Sequence, residues 1–488
     1  MSLPLDAEIS YVEQLRLHAR DRADEHVYWH IGADGQEPGF TWRVIDRRSS
    51  QLAAALSARG VGFGDLVGLG LHNSPELVLS AFATWKLGAV PVPVRWDLPD
   101  WELARLLDIV APCVYLGEND AAWIRATEAA EVPELDLVVS PHLHGICSSG
   151  STGTPKVILS AKQAVFTPSY TIPLVEMWAP VPRPQTILVL APMYHVNAFF
   201  TFGPLLAGDR LVVLERFDAA RALDVVERHR VSTFTATPTM LQRMADEQDE
   251  SPRDLSSLVW INQGAAPMPA SLVHRWGRFI GYERLVMAYG MTEGLGITVV
   301  RGDEWLDHEG TVGRGWQGTE VRILGADGTE LPPGAIGDIY LRMPQSGYEY
   351  LGDAPRLPST DDGFVTGGDM GYLDPEGYLY LADRRVDLII TGGANVFPAE
   401  VETALIDHPD IIDVVVIGLP DPEWGQRVHA VIEVRDPSKP PTAEAVIAFA
   451  KGRLAPYKVP KTVEIVGALP RSAATKVNRG RMVQARGG

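Results

Sequence analysis

The sequence predicts an α/β protein. A large N-terminal domain of mostly parallel sheets with helices carries a β-rich subdomain, and a small mobile α+β domain follows. Three observations predict it. Short apolar strands alternate with capped helices through the first part of the chain. From about residue 310 glycines become frequent and strands shorten. After Arg384 a separate α+β pattern begins. The 488 residues suffice for two to four structural units.

The elements follow in order. Thr41 to Arg59 reads as a helix, with Thr41 as its cap and Gly60 as its stop. Leu66 to Leu71 is a short apolar strand. Ser74-Pro75 then opens a helix, with Ser74 as cap and Pro75 in the first helical position, where its missing N–H is harmless. That helix ends at Gly88, and Ala89 to Pro93 resumes as a strand. This βαβ order implies parallel pairing under covering helices. The pattern recurs in the strands at 186–190, 211–214, 233–235 and 258–261, with a helix around 219–229. The later strands are 321–324, 337–342 and 378–382. The last unit reads as a helix at 398–406, strands at 414–417 and 430–434, and a helix at 442–454. The tail after Arg479 reads as short and mobile.

Composition narrows the function. Hydrophobic content of 46% and charged content of 22% fit a soluble globular protein. The net charge of −19 argues against nucleic acid or an anionic membrane as the main partner. Two cysteines, Cys113 and Cys147, indicate neither a disulfide framework nor a zinc cluster. The sequence has no long apolar run, and its N-terminus lacks a basic region followed by an apolar one. No membrane span and no signal peptide are expected, so a cytoplasmic protein is. Assembly into a homo-oligomer stays open.

Ser148-Ser149-Gly150-Ser151-Thr152-Gly153-Thr154-Pro155-Lys156 is the most informative stretch. Its backbone N–H groups and hydroxyls can turn toward a polyphosphate, and Lys156 can neutralise part of the charge. It is not a Walker A loop, because Thr154-Pro155 precedes the lysine. Alone, it can also be read as a polar linker. Its company is more specific. Downstream lie Tyr289-Gly290-Met291-Thr292-Glu293, Thr366-Gly367-Gly368-Asp369, Asp383-Arg384, Thr391-Gly392-Gly393, and Pro470-Arg471-Ser472 with Lys476.

In this order and spacing the motifs resemble the adenylate-forming superfamily. It includes acyl-CoA synthetases, free-standing amide-bond synthetases, peptide-synthetase adenylation domains and beetle luciferases. The resemblance covers nearly the whole chain. It implies an adenylation core over residues 1–383, a hinge at 384–387 and a C-terminal lid over 388–488. It also implies ATP-dependent activation of a carboxylic acid to an acyl-adenylate, with pyrophosphate released. CoA then takes the acyl group as a thioester; the alternative acceptor is an amine, giving an amide. ATP, Mg²⁺ and CoA are the implied cofactors and co-substrate.

The resemblance assigns roles residue by residue. Ser149, Gly150, Ser151, Thr152, Gly153, Thr154 and Lys156 would cradle the phosphates. Gly264, Ala265, Ala266, Tyr289, Gly290 and Met291 would line the adenosine site. Thr292 would contact phosphate, and Glu293 would hold Mg²⁺, since a carboxylate beside bound phosphates suits that ion. Asp369 would accept both ribose hydroxyls, which a carboxylate can do at once. Arg384 would contact the ribose near the hinge. Lys476 would bridge the substrate carboxylate and the α-phosphate, cancelling repulsion as the bond forms. Tyr194, His195, Asn197, Gln263, Met291 and Leu295 would surround the acyl group, with His195 as its gate. Gly392 and Gly393 would line the tunnel for CoA or an amine.

The chain departs from the family pattern at three places. Ala265 replaces a glycine, Thr475 stands where a glycine commonly precedes the lysine, and Val386 occupies the usual hinge position. The last two leave room for an amide-forming relative. The short motifs carry no charge to pair with a polar acyl tail, which favours an aromatic or bulky aliphatic acid.

Overall fold

The computed structural model describes residues 7–148, 156–344, 347–352, 356–384, 387–391, 394–471 and 477–487. The predicted caps organise its first half. The Thr41 hydroxyl accepts from Val44 N at the start of the helix Trp42–Ser57. The Ser74 hydroxyl does the same for Leu77 N in Pro75–Lys86, where Pro75 occupies the first turn. Asp218, not singled out in the sequence, likewise caps Ala219–Arg228 through Arg221 N. Gly60 and Gly88 take positive φ (93° and 67°), the left-handed conformation that ends a helix and favours glycine.

The βαβ reading is realised. Leu66–Gly70 runs parallel to Val90–Pro93 on one side and to Val114–Gly117 on the other. A second parallel run places His26–Ile31, Arg210–Leu214, Thr186–Val189, Thr233–Ala236, Ile261–Gln263 and Leu285–Gly290 side by side. Helices cover one face of it. Phe234, Met240, Met244, Trp276 and Ile261 share one core cluster. Phe82, Trp85, Phe199 and Phe202 fill another, with their rings edge-on or tilted.

The β-rich stretch is not a detached sheet. Leu285–Gly290 pairs antiparallel with Ile297–Arg301, which pairs with Thr311–Gly315, which pairs with Leu379–Arg384. Asp369–Leu373, Gly337–Arg342 and Glu320–Leu324 complete the row. With Gly39–Thr41 antiparallel to His26–Ile31 at the far edge, this makes one thirteen-stranded sheet among the described residues. A smaller antiparallel sheet joins Gly145–Ser148, Lys156–Ser160 and Tyr348–Leu351.

The C-terminal unit has its own core around Ile389, Val401, Val416, Ile432 and Val446. Its strands outrun the sequence reading, spanning Ile411–Asp421 and Gly425–Val434 as a long hairpin. The tail needs correcting. Arg479–Gln484 is a helix capped by Asn478, with Met482 only 3% exposed. Arg479 donates to Glu402 at 2.7 Å and to Asp387 at 3.2 Å, which fastens this helix to the start of the unit. Its place at the chain end suggested mobility, but those ion pairs and one buried methionine order it. No helix among the described residues is long and apolar enough to cross a membrane.

Candidate functional site

The site lies where the parallel strands end, the usual position for ligands in open α/β sheets. Ser148 and Lys156 are register partners in antiparallel strands. The two ends of the predicted phosphate loop therefore stand side by side. Ser149, Gly150, Ser151, Thr152, Gly153 and Thr154 lie outside the described residues, as do Val386, Gly392, Gly393, Thr475 and Lys476.

Tyr350, which sequence reading missed, joins this loop to the predicted metal ligand. Tyr350 pairs with Ile158 across the small sheet. Its ring centroid lies 4.8 Å from Lys156 Nζ, a cation–π contact. Its hydroxyl donates to Glu293 Oε1 at 2.9 Å. Burial pushes the Tyr350 phenol far above its ordinary range, and the Glu293 charge adds to that. The hydroxyl thus stays a donor to the carboxylate. The signal in sequence was only the Tyr348-Glu349-Tyr350 alternation, which does not name its partners.

A second constellation forms across the strand ends. Tyr289 Oη donates to Asp369 Oδ2 at 2.8 Å. Asp369 and Arg384 are register partners in antiparallel strands. Residues 289, 369 and 384, distant in sequence, are thereby gathered. Met291 packs over Gly367, where an added Cβ would come within 2.7 Å of its sulfur and push the thioether aside. Thr292 is half-buried beside Glu293.

The Gly264–Pro267 turn follows the strand Ile261–Gln263. Gly264 is buried, and Ala265 and Ala266 are exposed. Ala265 takes φ +74°, which suits glycine and strains an L side chain. Gln263 is 3% exposed and turns its amide back to the carbonyls of Gly264 and Ala266. It braces the turn. Leu295 is 3% exposed in the core that includes Tyr289 and Met291.

His195 caps the short helix Val196–Phe199, with its ring centroid 4.4 Å from that of Tyr194. Tyr194 is 4% exposed, and burial pushes its phenol up to about 12. Arg95, ion-paired with Asp97, acts on it in the opposite sense. A cation absent from the short motifs therefore stands within electrostatic range of this pocket. Asn197 is exposed and faces Gly264.

Asn73, also missed, holds the loop that carries these residues. Its Nδ2 donates to Ala191 O (3.0 Å) and Leu214 O (3.1 Å), and its Oδ1 accepts from Met193 N (2.7 Å). No cluster of three or more His, Cys, Asp or Glu suited to a metal occurs among the described residues. Glu293 offers a single carboxylate, with one oxygen bonded to Tyr350. That donor set fits Mg²⁺, which takes one or two carboxylates and fills its shell with phosphate oxygens and water.

Comparison with known proteins finds similar chains over nearly the whole length. The profile of the AMP-binding enzyme family matches residues 16–144 and 145–351. That of the AMP-binding enzyme C-terminal domain matches residues 400–476. The indoleacetate–CoA ligase of Aromatoleum aromaticum is 34% identical over 496 residues, covering 91% of this chain and 95% of that protein. Among solved structures, the o-succinylbenzoate CoA synthetase of Bacillus subtilis bound to its acyl-adenylate superposes with a TM-score of 0.82. It is 26% identical over 98% of both chains. The same enzyme with ATP and magnesium ion gives 0.81, at 26% identity over 98% of this chain and 100% of that one. The amide bond synthetase McbA from Marinactinospora thermotolerans gives 0.79, at 25% identity over 98% and 99% of the two chains.

Proposed function

The chain belongs to the AMP-binding enzyme family, and from that premise we propose that it activates an aromatic carboxylic acid with ATP and passes it to CoA. It is an ATP-dependent, AMP-forming ligase. The observation that carries the site reading is the pairing of Asp369 with the Tyr289 hydroxyl at 2.8 Å, opposite Arg384 in register. A carboxylate can accept two hydroxyl donors at once, which suits a cis-diol.

The chemistry divides among named groups. Lys156 and the 149–154 loop hold the β- and γ-phosphates. Glu293, oriented by the Tyr350 hydroxyl, would hold Mg²⁺. When bound, that ion would supply positive charge that offsets the charge of the phosphates. Gly264 to Ala266 and Tyr289 seat the adenine, and Asp369 and Arg384 seat the ribose. Lys476 draws the acid's carboxylate to the α-phosphate, where one carboxylate oxygen forms the new P–O bond as pyrophosphate leaves. The sulfur of CoA, entering beside Gly392 and Gly393, then displaces AMP from the acyl carbon. Residues 1–383 form the core, 384–387 the hinge and 388–488 the lid in this scheme.

Amide formation is the second reading. It is favoured by the likeness to the amide bond synthetase and by Val386 and Thr475, which replace a usual pivot and a loop glycine. Lys476→Ala tests the division of labour. Adenylation should fall at least about 10²-fold, while thioester formation from supplied acyl-AMP persists. Equal loss of both half-reactions would show that Lys476 does not act on the adenylation step alone.

A further inference from the structure

The chain on either side of Lys476 is tied to the C-terminal unit. Arg471 and Val477 form an isolated antiparallel bridge, so the two ends of the stretch that carries the lysine meet. Arg471 donates from Nε and Nη2 to the two oxygens of Asp413. Arg479 pairs with Glu402 and with Asp387. These bonds hold the segment to its own unit, not to the core.

Arg481 makes the link to the core. Its Nη2 donates to Glu102 Oε2 at 3.2 Å. Its Cζ lies 5.7 Å from the Trp101 ring centroid, within cation–π range. Trp101 and Glu102 open the helix Asp100–Val110. A carboxylate suits a helix N-terminus in any case, but packing does not account for a tryptophan that is 60% exposed. A second ion pair, Arg435 to Asp246 at 3.9 Å, joins the same two units.

The place of this contact is informative. Lys476 precedes Arg481 by five residues, at most about 17 Å of chain. Trp101 follows Asp97 by four residues, and Asp97 and Arg95 both act electrostatically on Tyr194. Arg481 is thus docked beside the chain that leads from the acyl side of the site. The flanks of Gly392 and Gly393 are not docked. Ile390 is 53% exposed, and so is 44% of Trp424, which precedes the register partner of Thr391. The unit turns its lysine-bearing end to the core and leaves these residues to solvent.

Building on the acid-activating reading, we propose that Arg481 is a positioning residue for adenylation. Docked on Trp101 and Glu102, it holds the Lys476 segment to the core while the acyl-adenylate forms, and the contact parts before CoA attacks. The Arg481 and Glu102 side chains are 59% and 25% exposed, so the contact is weak enough to part in every cycle.

The test separates the half-reactions. Single-turnover pyrophosphate release from acid and ATP reads adenylation, and thioester formation from supplied acyl-AMP and CoA reads transfer. Arg481→Gln and Glu102→Gln should each slow adenylation about 2–10-fold. The half-saturating concentrations of ATP and acid should not change, since neither residue is placed at either ligand. Transfer should be as fast as in the wild type, or faster. Arg481→Glu combined with Glu102→Arg should recover adenylation relative to either single reversal. Added salt screens the pair, so it should slow adenylation by the wild type more than by Arg481→Gln. Adenylation unchanged in both Gln variants, equal slowing of both half-reactions, a double reversal no better than the singles, or a salt response shared with Arg481→Gln would overturn the proposal. No pyrophosphate release by the wild type with any acid would instead overturn the acid-activating reading, and this inference with it.

Discussion

Tyr289→Phe isolates one hydrogen bond. The substitution removes the hydroxyl that donates to Asp369 Oδ2 at 2.8 Å and keeps the ring. Hydrogen bonds to charged groups contribute about 1.5–3 kcal/mol. Both partners here are half-buried, so water replaces part of the loss. A cost of about 1–2 kcal/mol follows, or roughly 5–30-fold in ATP affinity. In the proposed role the hydroxyl holds the carboxylate in position to meet the ribose. The loss should therefore appear in the KM for ATP, with kcat at saturating ATP within about three-fold and the KM for the acid unchanged. Steady-state pyrophosphate release measures all three. Repeating it with 2′-deoxy-ATP closes a thermodynamic cycle. The penalty of the substitution should shrink, because the diol contact is already missing. An unchanged KM for ATP, or the same penalty with both nucleotides, would refute the ribose role of Asp369.

Other outcomes follow from the same geometry. Tyr350→Phe keeps the ring beside Lys156 but frees Glu293, so the Mg²⁺ concentration for half-maximal activity should rise about 2–10-fold; an unchanged Mg²⁺ titration would refute the bracing role. Ala265→Gly should stabilise the protein by about 0.5–1 kcal/mol in urea unfolding, since relief at φ +74° exceeds the entropy that glycine adds to the unfolded chain; destabilisation would contradict the strain. Lys86 is fully buried, bonded to Asp46 and Ser50, and burial lowers its pKa from 10.5 to about 8 against the opposing pull of Asp46. The unfolded chain therefore binds this proton more tightly, and stability gains from Lys86 as pH rises from 8 toward 10.5. Against Lys86→Met, the wild type should gain about 2–3 kcal/mol between pH 7.5 and 10, whereas parallel urea midpoints would show that the ammonium is not desolvated.

The local half of the fold was legible because local chemistry decides it. Thr41 and Ser74 cap the helices their positions announce, and Pro75 sits where its missing N–H does no harm. Long-range pairing was less legible. Nothing near Thr298 announces that it pairs with Gly315, yet that contact fuses the β-rich stretch to the parallel sheet. The terminal helix depends on Arg479 finding Glu402 and Asp387, partners far back in the chain. In the site, Asp369 and Arg384 could be picked by type, and only folding shows that they are register partners in antiparallel strands. Tyr350 and Asn73 could not, since each matters through partners that only folding supplies.

The central claim is acid activation followed by transfer to CoA. It is tested most directly by incubating the enzyme with ATP, Mg²⁺ and a panel of aryl and aliphatic acids, with CoA, with simple amines, or with neither, and reading products by mass. The account predicts acyl-AMP without an acceptor, an aryl thioester when CoA is present, and AMP and pyrophosphate in step with it. Efficient amide formation from amines, with no thioester from CoA, would contradict the choice of acceptor. Absence of acyl-AMP with every acid would contradict the account as a whole.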